Sequence, residues 1–153
     1  LDLFELFVKK YPKIPPTLIA VTLEQTMKSL AREGIPIDNI SDEHLDELFK
    51  CLEKGIVAKE AIPEVLSYIA KHPETKVEDA IDRLGLRSLS IEELDAIIDK
   101  IIKENLKAIT NLKERSWKLI MGKVMKLVRG KIDGRIVAER VQYKVREVLK
   151  SKK

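Results

Sequence analysis

The sequence predicts an all-α fold of about seven or eight helices, arranged as two small packed modules of residues 1–88 and 89–153. Three observations predict it. Apolar residues recur at three- and four-residue spacing through most segments, and no alternating strand pattern of any length is present. Helix caps, glycines and prolines cut the chain into helix-sized lengths. The charge also changes sign along the chain: residues 1–100 carry 13 Lys/Arg against 20 Asp/Glu, whereas residues 101–153 carry 16 against 5.

The elements follow in order. "LDLFELF" reads as a short amphipathic helix that ends at Tyr11-Pro12. Pro15-Pro16 admits a helix start and no helix interior. The apolar spacing from Leu18 to Arg32 is helical and stops at Gly34; Thr22 and Gln25 fit a capping box inside it, although the helix could already start near Pro16. Ser41 caps a helix whose inner face includes Leu45, Leu48, Phe49 and Leu52, with Asp42 and Glu43 in the first turn, where the macrodipole favours anions. Gly55 is its C′ residue. In "IVAKEAIPEVLSYIAKHP" the apolar positions Ile62, Val65, Leu66 and Ile69 are helical, and Pro63 belongs in the first turn.

Thr75 with Glu78 and Ser90 with Glu93 read as two further capping boxes. The helix Ile91–Glu104 lines up Leu94, Ile97, Ile98, Ile101 and Ile102 on one side. Asn111 with Glu114 reads as a fourth box, opening a helix from Leu112 to Val128 that Gly130 closes. Asp133 caps the last helix, Gly134 to about Leu149, with Ile136, Val137, Val141, Val145 and Val148 inward.

Composition narrows the function. A 153-residue chain suits one compact domain or two small helical ones. Hydrophobic residues are 44% but aromatics only 5%, so the core must be aliphatic. The basic terminal third points to a polyanion partner, and its plainer reading is solvated helix surface. Cys51 is the only cysteine, which leaves no intrachain disulfide, and it reads as a structural thiol with no base nearby. No apolar run approaches the roughly 18–20 residues of a membrane span, and no signal peptide is evident, which points to a cytoplasmic protein without membrane contact. A chain that opens on Leu1 suggests a processed protein or a piece of a larger one.

Catalytic and metal sites are weakly supported. His44 and His72 are far apart and lack CxxC or HExxH company, so both read as surface helix residues and no metal site is expected. The paired carboxylates Asp42-Glu43 and Glu92-Glu93 fall in first turns, where caps and dipoles account for them. "GKVMK" lacks the spacing of a phosphate-binding Walker loop. No catalytic residue is expected in this chain.

The stretch "LIMGKVMKLVRGK", Leu119–Lys131, is the strongest candidate. Lys118, Lys123, Lys126 and Arg129 surround an apolar stripe of Ile120, Val124, Leu127 and Val128. Lys131 and Arg135 flank the turn into the last helix, where Arg140 and Lys144 form an i,i+4 pair. Two helices joined by a tight turn and studded with cations make a surface for a nucleic-acid backbone, one that positions and does not read bases. Trp117 reads as a core or inter-module anchor, with base stacking as the alternative. Met121 and Met125 read as core filler. Gly122, inside a helix, costs roughly 1 kcal/mol against alanine, and so suggests close approach of another helix or of a ligand backbone.

Four segments together resemble a known family: "KGIVAKEAIPEVL" (Lys54–Leu66), "AIDRLGL" (Ala80–Leu86), "SIEELDAIIDKIIKEN" (Ser90–Asn105) and "LIMGKVMKLVRGKIDGRIV" (Leu119–Val137). They are similar to the C-terminal helical and tail (YqeY-like) region of the B and E subunits of tRNA-dependent amidotransferases. "GKIDGRIV" and "REGIPIDNISDEHL" (Arg32–Leu45) look more like the archaeal E form. The resemblance covers essentially the whole chain. One departure is local: the glycine-rich approach that the family shows before the "LMG"-like segment is here "NLKERSW", Asn111–Trp117, without a glycine.

The resemblance implies the last quarter or so of a larger subunit. The family's enzyme converts Glu-tRNA(Gln) to Gln-tRNA(Gln). ATP activates the glutamyl carboxylate, and ammonia comes from an asparaginase-like partner, the D subunit. The ATP- and Mg2+-dependent chemistry lies in a part absent from this chain, so no cofactor is expected here. The chain's implied role is to hold the body of tRNA(Gln). Position by position, Lys123, Lys126, Arg129, Gly130, Lys131 and Arg135 fall in the family's basic tail segment. The alternatives are a stand-alone YqeY-like helical protein, associated with tRNA or with other proteins, and a docking domain whose acidic half binds another subunit.

Overall fold

The computed structural model of the protein describes residues 2–151. It is all-α, as expected. Among the described residues there is no strand, only an isolated antiparallel bridge between Val57 and Arg87. The chain divides into two compact units, Leu1–Ser88 and Leu89–Lys153, each with its own apolar core.

The first unit opens with α1 (Leu3–Lys10), capped by the Asp2 carboxylate, which accepts from Glu5 N at 2.8 Å. A rod then runs from Pro16: α2 (Pro16–Val21), a π-helical turn (Thr22–Thr26) and α3 (Met27–Arg32). Thr22 is therefore no cap. It lies inside the rod and its hydroxyl donates back to Leu18 O at 2.8 Å, a habit of mid-helix threonine that accompanies bends. The open alternative, a start at Pro16, is the one the structure adopts.

α4 (Asp42–Glu53) begins at Ser41, as expected, but its box partner is His44. Ser41 N–H donates to Nδ1 of His44 at 3.0 Å, so the proton sits on Nε2, which donates to Pro73 O at 2.9 Å. His44 is therefore a structural capping residue, not a plain surface one. α5 (Ile62–Lys71) has Pro63 in its first turn, where the missing N–H costs nothing.

α6 (Val77–Arg83) corrects another expectation. Thr75 does not cap it. The Glu47 carboxylate of α4 reaches across to accept from Val77 N at 2.9 Å and Glu78 N at 3.1 Å. A cap that comes from thirty residues away also ties α4 to α6. Phe7, Tyr11 and Phe49 cluster in the core, with the Phe7 and Phe49 ring centres 5.0 Å apart. The Tyr11 hydroxyl donates to Asp46 at 2.7 Å, and burial together with that bond pushes the phenol well above its usual range. Cys51 is buried, which raises its thiol to about 11 and keeps it in the protonated, inert form at neutral pH.

The second unit holds α7 (Ile91–Glu104), α8 (Leu106–Leu112), α9 (Ser116–Val128) and α10 (Gly134–Ser151). Ser90 and Glu93 form the expected reciprocal box on α7. α8 goes beyond the elements the sequence predicts. Asn111 lies inside it and Ser116 opens α9, so the Asn111–Glu114 pair is not a capping box. The two helices are joined by a 3₁₀ turn, Lys113–Arg115, whose first residue has φ 54° and ψ −126°. Leu94, Ile98, Ile109, Ile120, Val124, Val128, Val137, Val141 and Val145 fill the core between these helices. Trp117, Met121 and Met125 pack against it, each only partly buried.

Among the described residues no helix is long and apolar enough to cross a membrane. No group of three or more His, Cys, Asp or Glu is gathered there as a metal would require.

Candidate nucleic-acid interface

α9 is built with one apolar and one basic side. Ile120, Val124 and Val128 are fully buried at four-residue spacing, while Lys118, Leu119, Gly122, Lys123, Lys126 and Leu127 are exposed. The helix ends in a tight turn. Arg129 has φ −54° and ψ 128°, Gly130 has φ +82°, and Lys131 N–H donates to Val128 O at 2.9 Å. These are the values of a type II turn, whose third residue must take positive φ, so glycine is the natural occupant. Gly130 closes α9 as expected.

The turn is held on its far side as well. Lys131 O accepts from Leu89 N at 3.0 Å, which fixes the turn against the entry to α7. Asp133 then caps α10, its carboxylate accepting from Arg135 N at 2.9 Å. That bond occupies an N–H that a phosphate would otherwise use, so anion binding at this helix start is displaced toward the side chains of Lys131 and Arg135.

The eight candidate positions separate into two groups. Lys123, Lys126, Arg129 and Arg135 are exposed, and Lys131 is half-buried beside Gly130. Among the described residues none of these five cations, nor Lys118, takes part in an ion pair. They form a run of unneutralised positive charge along the outer side of α9 and over its exit turn.

Arg140 and Lys144 sit elsewhere. Arg140 grips Asp95 of α7 with two bonds, Nε to Oδ1 at 2.9 Å and Nη2 to Oδ2 at 2.7 Å, and lies over the Tyr143 ring. Lys144 pairs with Asp99 at 2.9 Å. The bond from Arg140 holds the Asp95 carboxyl below the usual carboxylate range, and Asp95 in turn raises the Arg140 guanidinium. These two cations fasten α10 to α7. The sequence carries the signal as a matched four-residue spacing, Asp95/Asp99 on one helix and Arg140/Lys144 on another, but not which helices face each other.

The GatB domain family matches residues 2–145. The chain is 42% identical over 147 residues to the E subunit of glutamyl-tRNA(Gln) amidotransferase from Methanocaldococcus jannaschii, covering 96% of this chain and 23% of that protein. It is 38% identical over 150 residues to the protein of the same name from Saccharolobus solfataricus, and 37% identical over 147 residues to that of Thermococcus gammatolerans. In each case the chain spans about a quarter of the relative's length (23%). No solved structure matches it. A family match over nearly the whole chain, and these relatives, place the protein plainly: it belongs to the GatB domain family.

Proposed function

We propose that this chain is the tRNA-holding part of a subunit of a tRNA-dependent amidotransferase, one that converts Glu-tRNA(Gln) to Gln-tRNA(Gln) in the cytoplasm. The name carried by its relatives supports the enzyme class. In this reading ATP, Mg2+ and the reacting ends are handled by the rest of the subunit. An asparaginase-like partner, the D subunit, delivers the ammonia. The present chain grips the tRNA body by its phosphates and so positions the acceptor end.

The observation that carries the proposal is the unpaired cationic run of Lys118, Lys123, Lys126, Arg129, Lys131 and Arg135, on a helix and a turn both fixed by their surroundings. In the same unit Arg140 and Lys144 are neutralised by Asp95 and Asp99, while among the described residues these six cations have no acidic partner. Rigid placement lowers the ordering cost of binding, and six phosphate contacts make affinity strongly salt-dependent.

The test is to reverse Lys123, Lys126 and Arg129 to glutamate together and to titrate tRNA(Gln) transcript by fluorescence anisotropy. Affinity should fall by at least tenfold at low salt, and the slope of log K against log salt should flatten by about one for each phosphate that is no longer gripped. Circular dichroism should be unchanged, because all three side chains are exposed. An unaltered tRNA affinity overturns the proposal. A second reading, a helical protein-interaction module, is favoured by one observation: Leu119 and the 57% exposed Leu127 lie among the same lysines. It predicts that the triple variant keeps its tRNA affinity.

A further inference from the structure

Gly122 lies in the middle of α9, where glycine is the poorest ordinary residue for a helix. Close packing within the chain would explain it, and the structure excludes that explanation among the described residues. A Cβ built on Gly122 meets no atom within 4 Å. The residue is exposed, with an ordinary helical backbone and no positive φ to require glycine. Nothing inside the fold accounts for it.

Its neighbours on the surface suggest an outside reason. Lys118, Gly122 and Lys126 form one i,i+4 row along the outer face. The two lysines are about 12 Å apart along the helix axis, with the bare backbone midway between them. Lys123 borders the same spot, and none of these lysines has an acidic partner. The result is a shallow notch in the helix surface, framed by unneutralised cations.

We infer that Gly122 is the point of closest approach for the sugar–phosphate backbone of a structured RNA. Lys118 and Lys126 reach phosphates on either side, and a ribose lies over the bare Cα. Each helical carbonyl keeps a second lone pair after its helix bond, so a carbonyl beside the notch can accept from a ribose 2′-hydroxyl. A-form RNA displays its 2′-hydroxyls in a wide, shallow minor groove, which a low-relief helix surface fits. A methyl group at residue 122 would hold the ribose away from the helix. This inference rests on the RNA-holding role proposed above and assigns its closest contact.

The experiment uses the 153-residue chain with Gly122→Ala, Gly122→Leu and the triple reversal at Lys123, Lys126 and Arg129. Each is titrated with in vitro transcribed tRNA and with a DNA oligonucleotide of the same sequence, and its thermal unfolding is followed by circular dichroism. Both Gly122 variants should melt higher than the wild type, since each favours the helix. Gly122→Ala should nonetheless bind tRNA about tenfold more weakly, and Gly122→Leu more weakly still. The preference for RNA over DNA should shrink in both, because the bond to the 2′-hydroxyl is the one removed. A purely structural glycine would not move that preference. If the triple reversal abolishes binding while both Gly122 variants bind tRNA like the wild type, the notch is not an RNA seat, and this inference alone falls. If the triple reversal also binds like the wild type, the RNA-holding reading falls, and this inference with it.

Discussion

Among the described residues of the second unit two hold a positive φ, and only one of them is suited to it. Gly130 takes φ +82° in its type II turn without a Cβ to clash. Lys113 takes φ 54° and ψ −126°, the first central position of a type II′ turn, where glycine is the usual occupant. A left-handed φ costs an L-residue roughly 1–2 kcal/mol, against which a glycine loses about 0.5–1 kcal/mol of chain entropy. Lys113→Gly should therefore stabilise the protein by about 0.5–1 kcal/mol, read as a higher urea midpoint at unchanged m-value. A lower midpoint would show that the turn does not strain the lysine. Lys113 falls within "NLKERSW", a segment without a glycine, so the sequence marks the place of the strain without showing its form. Glycine is legible where it supplies positive φ, as at Gly130. It is ambiguous at Gly122, because a glycine that nothing inside the chain crowds looks the same in a sequence as one that a packed helix demands.

Helix ends are readable where the cap is local. Ser41 and Ser90 are visible because each bonds within its own first turn. The start of α6 is not, because its cap is Glu47, which only the folded chain brings near. α8 is hidden for a related reason: Asn111 and Glu114 imitate a box while lying in a helix and a 3₁₀ turn. The pairing of α10 with α7 belongs to the same class of non-local contacts. Asp95 is held below the ordinary carboxylate range by Arg140, so its ionisation favours the folded state. The sign follows directly. The stabilisation is complete above the unfolded-state value near pH 4 and is lost as pH falls through the lower folded-state value. Asp95→Asn should melt below the wild type at pH 7, and the two melting curves should converge as pH drops below about 4. A gap that persisted at about pH 2, below the ordinary carboxylate range, would mean that packing, not the ion pair, carries the effect.

Over the whole chain, the change in charge sign and the boundary between compact units do not coincide. Residues 1–100 are net acidic, but the second unit already begins at Leu89, so the acidic helix α7 lies in the basic unit. There it neutralises Arg140 and Lys144, while the cations of α9 and its exit turn have no acidic partner among the described residues. This explains why the candidate cations read from the sequence divide into a structural pair and a free run: net charge by segment shows how much is uncompensated, and only the fold shows where. The two separate cores lead to a prediction at this scale. Ile120 is fully buried among the aliphatic residues of the second unit, and truncating such a side chain costs about 2–5 kcal/mol. Trp117, the only tryptophan, packs against that same core and reports on it alone. In urea, Ile120→Ala should move the Trp117 fluorescence transition to clearly lower denaturant. Hydrogen-exchange protection around Leu48, Leu66 and Ile81 should stay at its wild-type level, because those side chains belong to the other core. If protection there falls together with the tryptophan signal, the two cores unfold as one cooperative body. If it holds, variants on the α9 face can be judged for tRNA binding with the first unit as an internal standard of folding.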